Sequence, residues 1–425
     1  MNTWPMGNAP IGVYSPGVAA RCPGWSTFQQ VSTSADSPAL ITDRDGLVAL
    51  VDEMADEEFY AVDTEFHTER TYWPQLALIQ FGWAGKVALV DPLAVDPEPL
   101  SRLFAGPGTA VAHAASQDLD ILHTACGVAP ASVFDTQIAA GFVGMSTPSL
   151  ARLVDQVLGI TLAKTDQLSD WLHRPIPPAQ LSYAAGDVVH LLALRSALVA
   201  QLEERGRLAW AIEECTQALS VRRVDVLPEQ AWWRVGDMRK LSGRSRAVAQ
   251  EVAAWRERRA AEVDRPRRSV LSDLAIITIS QRSPRNRVEL EKLRGVDTRH
   301  LSKGGADEIL EAVQRGQALP AGDLRLPPDS GDARASQAAV AVCAGLVRQI
   351  SDELDFDQAL LATRADITQV VLGEPSRLDQ GWRGTIAGDP IRRLLNGEAA
   401  AAFESDGRLV LEERSHTPIG SAPGS

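Results

Sequence analysis

The chain has 425 residues, more than a single core usually organises, so two or three domains are expected. A hydrophobic content of 45% and a charged content of 23% are ordinary for globular protein, and the four cysteines are too scattered for a disulfide framework or a zinc site. The net charge of −13 argues against nucleic-acid binding by the surface as a whole, but residues 221–303 hold 20 Lys+Arg against 11 Asp+Glu, a local +9 that leaves −22 elsewhere.

Residues 1–37 lack the charged start and unbroken apolar segment of a signal peptide and read as a disordered tail. No continuous apolar run nears the roughly 18 residues of a membrane span, so a cytoplasmic protein with no membrane partner is expected. PALIT (38–42) reads as a strand, and the segment after it as a helix with Leu47, Leu50, Val51 and Met54 on its apolar side. FYAVDTEF, QLALIQFGW and KVALVDP then read as three successive strands, TAVAHAA (109–115) as another, and the stretch from Ser116 as a helix that Ser116 can cap. A longer helix opens at Pro177-Pro178 and runs to Gly206. Hairpin strands followed by alternating strand and helix imply an α/β domain with a mixed sheet over 38–215. Beyond it, five short helical segments over 226–318 read as a compact all-α module, and 319–332 as a Pro-, Gly- and Asp-rich linker. A second helical module is expected over 333–413, with a polar tail at 414–425.

Asp63 and Glu65 stand two apart in a strand, so both side chains leave one face. Asp118 falls in the first turn of a helix just past the carboxyl end of a strand, where α/β sheets tend to form sites. Tyr183 and Asp187 are four apart on a helix and lie one turn from each other. Singly, each acid has an ordinary explanation: an exposed turn, a favourable charge at a helix start, a solvated side chain. Together, four carboxylates with no His or Cys companion make a hard-oxygen site suited to Mg²⁺ or Mn²⁺. Two such ions about 3.5–4 Å apart are a recurring arrangement for phosphodiester hydrolysis. A tyrosine with an ordinary pKa near 10 suits orienting a water better than deprotonating it.

The stretches DTEFHTERTYWPQLALIQ, HAASQDLDIL and LSDWLHRPIPPAQLSYAAGDVVHLL, in that order, closely resemble the three motifs of the ribonuclease D family, in the tyrosine-bearing subgroup of the DEDD exonucleases. The resemblance implies an α/β RNase H-like exonuclease domain, a mixed sheet flanked by helices, that hydrolyses RNA from the 3′ end and releases nucleoside 5′-monophosphates. It makes Asp63, Glu65, Asp118 and Asp187 the ligands of two divalent ions, Mg²⁺ or Mn²⁺, and Tyr183 the group that positions water. Asp63 would bridge both ions, Glu65 and Asp187 would serve one, and Asp118 would help to hold the second. RPRRSVLSDLAI, LEKLRGV and KGGADEILEAV look like an HRDC domain, a helical nucleic-acid-binding module, and 333–413 like a second, more degenerate one.

Gln117 stands where the family's second motif usually has Glu, and His67-Thr68-Glu69 is less basic than the family text after DTEF. Neither difference touches a metal-binding position. Phe66 is a candidate contact for the terminal base, and Lys164 and Arg174 for phosphate. His113 reads as a satisfied core histidine, and Trp73, Phe81 and Trp83 as sheet packing. The expected partner is RNA, with tRNA precursors bearing single-stranded 3′ ends as the family-implied substrate, acted on by a monomer. DNA 3′ ends, or an inactive RNA-binding scaffold, are the alternatives. A chain ending near Ser220 is expected to go on cleaving while binding tRNA-like substrates more weakly.

Overall fold

A computed structural model of the chain describes residues 38–162, 170–220, 227–238, 241–297, 304–327 and 336–415. Six strands form one sheet: β1 (Ala39–Ile41), β2 (Phe59–His67), β3 (Gln75–Trp83), β4 (Lys86–Val90), β5 (Thr109–Ala112) and β6 (Val133–Asp135). Their order is β1-β4-β3-β2-β5-β6. β2, β3 and β4 are antiparallel, while β1, β5 and β6 pair parallel to their neighbours. The sheet is mixed, as the hairpin strands followed by strand–helix alternation implied. Ala84 and Gly85 close the β3–β4 hairpin with φ of 43° and 77°, the two left-handed residues that match a tight turn to strand twist. β6 was not anticipated, because three residues carry no readable alternation.

Among the described residues eight helices accompany the sheet: α1 (Arg44–Met54), α2 (Leu100–Phe104), α3 (Ser116–Cys126), α4 (Thr136–Gly141), α5 (Leu150–Leu158), α6 (Pro178–Val189), α7 (Leu191–Glu204) and α8 (Leu208–Ser220). Strand alternation divides them between the two faces. Ile79, Phe81 and Trp83 of β3 pack with Leu47, Leu50, Val51 and Met54 of α1 on one side. Leu78 packs with Ala184 of α6 on the other. α6 crosses β2, β3 and β4 closely: a Cβ on Gly82 would stand 3.1 Å from the Val188 carbonyl oxygen. The absence of a side chain at Gly82 is what lets the helix seat on the sheet.

The stretch Pro178–Glu204 is long and apolar enough in composition to cross a membrane, contrary to the sequence expectation. In the fold it is two helices broken at His190, and Ala184, Val188, Leu191, Leu194 and Leu198 are buried in the domain.

The following region builds its own core. After a 3₁₀ turn (Pro228–Arg234) come α9 (Arg244–Glu262), α10 (Arg267–Val270), α11 (Asp273–Arg282), α12 (Arg287–Glu291) and α13 (Gly305–Ala318). Trp232, Val248, Val252, Ile276, Ile279, Leu290, Ile309 and Val313 fill it. This helical module meets the α/β domain at the loop between β2 and β3. The Tyr72 hydroxyl donates to Glu257 (2.7 Å), and the Tyr72 and Trp73 amides donate to Asp264 (2.9 and 3.1 Å). Trp73 is therefore not a sheet-packing residue: it is 49% exposed and sits in this contact.

Residues 336–395 do not form a separate module. Val340, Leu346, Val347 and Ile350 of α14 (Gln337–Leu354) are buried in one cluster with Ala61, Val111, Phe134, Leu194 and Leu198 of the α/β domain. Trp382 stacks on Trp210 of α8 with ring centroids 5.3 Å apart, and Arg383 is paired with Glu214 inside the protein. The chain then closes with a hairpin of β7 (Ala399–Phe403) and β8 (Leu409–Glu413). AAAAF has helical propensity, but the turn at Asp406-Gly407, with Gly407 at φ 86°, sets antiparallel pairing instead.

Candidate active site

β2 delivers Asp63 and Glu65 from one face near its carboxyl end, opposite Gln80 and Leu78 of β3. The register shifts between Glu65 and Phe66, and the irregularity re-aims the strand just after the second acid. Asp118 arrives on the first turn of α3, beyond the end of β5. Ser116 does not cap that helix. Ala115 occupies the cap position with no side-chain bond, and the preceding turn is held from elsewhere.

That hold is Asp135, a residue whose role does not show in the sequence. Its buried carboxylate accepts from the amides of Ala114 (3.0 Å), Ala115 (2.9 Å), Gln137 (2.8 Å) and Ile138 (3.3 Å). It caps α4 and at the same time pins the strand-to-helix turn in which Ala114 adopts φ 58°. An Asp preceding a helical stretch is a readable capping signal; its bonds to a turn twenty residues earlier are not. His113 is half-buried and both its ring nitrogens are satisfied, with Nδ1 3.0 Å from the Thr136 hydroxyl and Nε2 3.0 Å from the Pro148 carbonyl.

α6 contributes Tyr183 and Asp187, one turn apart and near enough for the hydroxyl of one to act on the carboxylate of the other. The Tyr183 ring also lies 6.1 Å from that of Trp171, tilted by 34°. Thr64, on the opposite face of β2 from the two acids, donates its hydroxyl to Asp118. The five groups expected from sequence thus share one place between β2, α3 and α6.

Their electrostatics show how near they are. Burial, then the charges of Asp118, Asp187 and Glu65, hold the Asp63 carboxyl well above the usual carboxylate range. Burial and then Asp187 and Asp118 push Glu65 up to about 8. Burial raises Asp187 to about 7 against the influence of the Tyr183 hydroxyl, and Asp118 to about 6 against the hydrogen bond from Thr64. The Tyr183 hydroxyl is held above its ordinary range by burial, then by Asp187, Glu65 and Asp63, which keeps it a proton donor.

Among the described residues no Lys or Arg pairs with any of the four acids. A cluster of hard oxygens with uncompensated negative charge calls for a cation, and the residues fit a divalent one. As the side chains lie, no three His, Cys, Asp or Glu among the described residues converge closely enough to hold one ion. Asp118 is engaged by Thr64, so gathering the four carboxylates around an ion requires side-chain adjustment.

The other predicted contacts fare differently. Phe66 is half-buried against the core on the α1 side of the sheet. Lys164 lies outside the described residues. Arg174 is not available to phosphate: its five N–H donors reach Asp91 twice (2.7 and 2.8 Å), the carbonyls of Trp171 (2.6 Å) and His173 (2.9 Å), and that of Ala77 (2.7 Å). It ties the segment before α6 to the sheet.

A family model for 3′-5′ exonucleases matches residues 38–203, and one for the HRDC domain matches 245–313. The chain is 36% identical to ribonuclease D of Gluconacetobacter diazotrophicus over 85% of its own length and 93% of that protein's. It is 32% identical to ribonuclease D of Escherichia coli, over 84% and 98% of the two lengths. Its fold superimposes on the crystal structure of Escherichia coli RNase D with a TM-score of 0.77, at 32% identity, covering 85% of this chain and 99% of that one. The catalytic core of RRP6 from Trypanosoma brucei aligns at a TM-score of 0.54 and 27% identity, over 67% of this chain and 81% of that one. With the acids of three separate motifs brought together between β2, α3 and α6, and with this likeness spanning nearly the whole of its relatives, the chain belongs to the ribonuclease D family of 3′-5′ exoribonucleases.

Proposed function

We propose that the enzyme trims single-stranded 3′ ends of structured RNAs, tRNA precursors among them, one nucleoside 5′-monophosphate at a time. Asp63, Glu65, Asp118 and Asp187 would hold two divalent ions, Mg²⁺ or Mn²⁺. Such ions, when bound, supply an activated water and neutralise charge on the phosphodiester. Tyr183 keeps its proton and orients the attacking water through its hydroxyl, while Asp187 fixes the direction of that hydroxyl. Asp135 and Thr64 position Asp118 from behind.

The raising of all four carboxyls by burial, with Asp63 and Glu65 pushed further by the charges of Asp118 and Asp187 beside them, is the observation that carries this reading. Structured RNA processing is named for the Escherichia coli relative and supports the choice of substrate. The helical module contributes cations: among the described residues, Arg265, Arg282, Arg285, Lys292 and Arg294 make no side-chain ion pair. The protein is taken to act as a monomer in the cytoplasm, a reducing setting that suits the buried free thiols of Cys126, Cys215 and Cys343.

Matched 5′-labelled RNA and DNA oligonucleotides, with Mg²⁺ or Mn²⁺ and with chelator, test the proposal. RNA should shorten from its 3′ end in a ladder that disappears with chelator and with Asp63→Asn. Cleavage confined to DNA, or undiminished in Asp63→Asn, would refute it.

A further inference from the structure

Gln80 is fully buried, at 0% exposure, in the middle of β3. Neither its amide nitrogen nor its amide oxygen has a hydrogen-bond partner among the described residues. A buried amide left unpaired costs about 1–3 kcal/mol, and such groups are few in folded proteins, so this one calls for a reason. Its neighbours supply one. Gln80 is the cross-strand partner of Asp63, and partners on an antiparallel pair project from the same face with side chains in contact range. Leu78 and Gly82 flank it on that face, one packed with Ala184 and the other against Val188 of α6. The amide is thus enclosed between the sheet and the helix that carries Tyr183 and Asp187, beside a carboxylate assigned above to the metal ions. An apolar residue would fill the same space without the desolvation cost.

We propose that Gln80 is a positioning residue for the metal site: its amide N–H donates to the Asp63 carboxylate when that group turns to ligate, and holds it there. The amide oxygen is then free to accept from an ordered water beneath the site. This rests on the assignment of Asp63 as a metal ligand. Partners behind a ligand set its orientation, and their loss typically weakens metal binding about 10–100-fold.

The test uses the full chain stripped of metal, with Mn²⁺ binding followed by the EPR signal of the free ion, in wild type, Gln80→Met, Gln80→Leu and Asp63→Asn. Both Gln80 variants should keep or raise the melting temperature of the stripped protein, since they remove an unpaired amide. They should bind Mn²⁺ about 10-fold more weakly, with kcat reduced, KM for RNA unchanged, and activity restored by excess Mn²⁺. Wild-type Mn²⁺ affinity in both variants, beside weakened binding in Asp63→Asn, would overturn the role of Gln80 alone. Wild-type affinity in Asp63→Asn would overturn the ligand assignment and this inference with it. A stripped-protein melting temperature several degrees lower in both Gln80 variants would show a purely structural amide and overturn it too.

Discussion

The Tyr72 hydroxyl donates to Glu257 at 2.7 Å, joining the loop that follows the first acid pair to the long helix of the HRDC domain. Glu257 is buried and also receives Arg267 through both of its oxygens (2.6–2.8 Å), while the Arg267 guanidinium lies 4.6 Å over the Tyr72 ring. Three groups share one interaction, so their contributions should not add. Tyr72→Phe should cost about 1–2 kcal/mol, and Glu257→Gln more, because it removes the charge and one of the two acceptor oxygens of the fork. A double-mutant cycle in urea should give a coupling above about 0.5 kcal/mol. Cleavage of a short oligonucleotide should be unchanged, because β2, α3 and α6 build the site without this loop.

The site acids should make the chelated protein less stable as pH rises. Glu65, Asp187 and Asp118 titrate near 8, 7 and 6 in the fold, against about 4 when unfolded. Between those values the folded chain binds more protons than the unfolded one, and stability falls with increasing pH wherever that holds. Melting temperature in EDTA should therefore decline from about pH 5 to about pH 8.5. Glu65→Gln with Asp187→Asn should flatten the decline. Added Mn²⁺ should reverse it, because the ions bind the deprotonated acids and their affinity grows with pH.

Arg174 distinguishes structure from substrate binding. Lysine can replace neither the fork to Asp91 nor the three carbonyl bonds. Arg174→Lys should destabilise by about 2–4 kcal/mol, since Asp91 stays buried without its partner. At a temperature where the variant is folded, KM for RNA and its salt dependence should match wild type. A raised KM with unchanged stability would restore the phosphate role.

The basic charge of the HRDC domain is not all available. Arg256 and Arg267 are engaged by Asp273 and Glu257, whereas Arg282, Arg285, Lys292 and Arg294 have no such partner among the described residues. Replacing these four by Ala should reduce the salt slope of RNA binding by about 0.7 for each phosphate that no longer meets a cation. Arg256→Ala should lower stability and leave the slope alone. Filter binding across a series of salt concentrations reads both.

The catalytic half was legible because its information is local. DxE on a strand, an acid in a first helical turn and YxxxD on a helix each define geometry within a few residues, and β2, α3 and α6 carry them as expected. What escaped the sequence is long-range. Asp135 acts on a turn twenty residues before it, Gln80 is placed by strand register, and Arg174 is taken up by Asp91, 83 residues earlier in the chain. The C-terminal helices misled most. An amphipathic helix does not state which surface its apolar face covers, and a linker-like stretch before it suggested independence.

That packing changes what truncation should do. Arg383, almost wholly buried, donates to Glu214 of α8 through both terminal nitrogens and to the Leu360 carbonyl at 2.7 Å. Arg383→Met would leave a buried carboxylate uncompensated and should cost about 3–5 kcal/mol; Glu214→Leu in the same chain should recover most of it. A chain ending near Ser220 loses Arg383 and also Trp382, Phe356 and the α14 side chains that cover Phe142 and Trp210. It should therefore expose a continuous apolar surface, bind ANS and lose near-UV circular dichroism, instead of persisting as a compact nuclease. Removing only the HRDC domain, with 336–415 retained through a flexible connection, should leave the catalytic core folded. Near-UV spectra of the two truncations, recorded side by side, separate a shared core from two tethered modules.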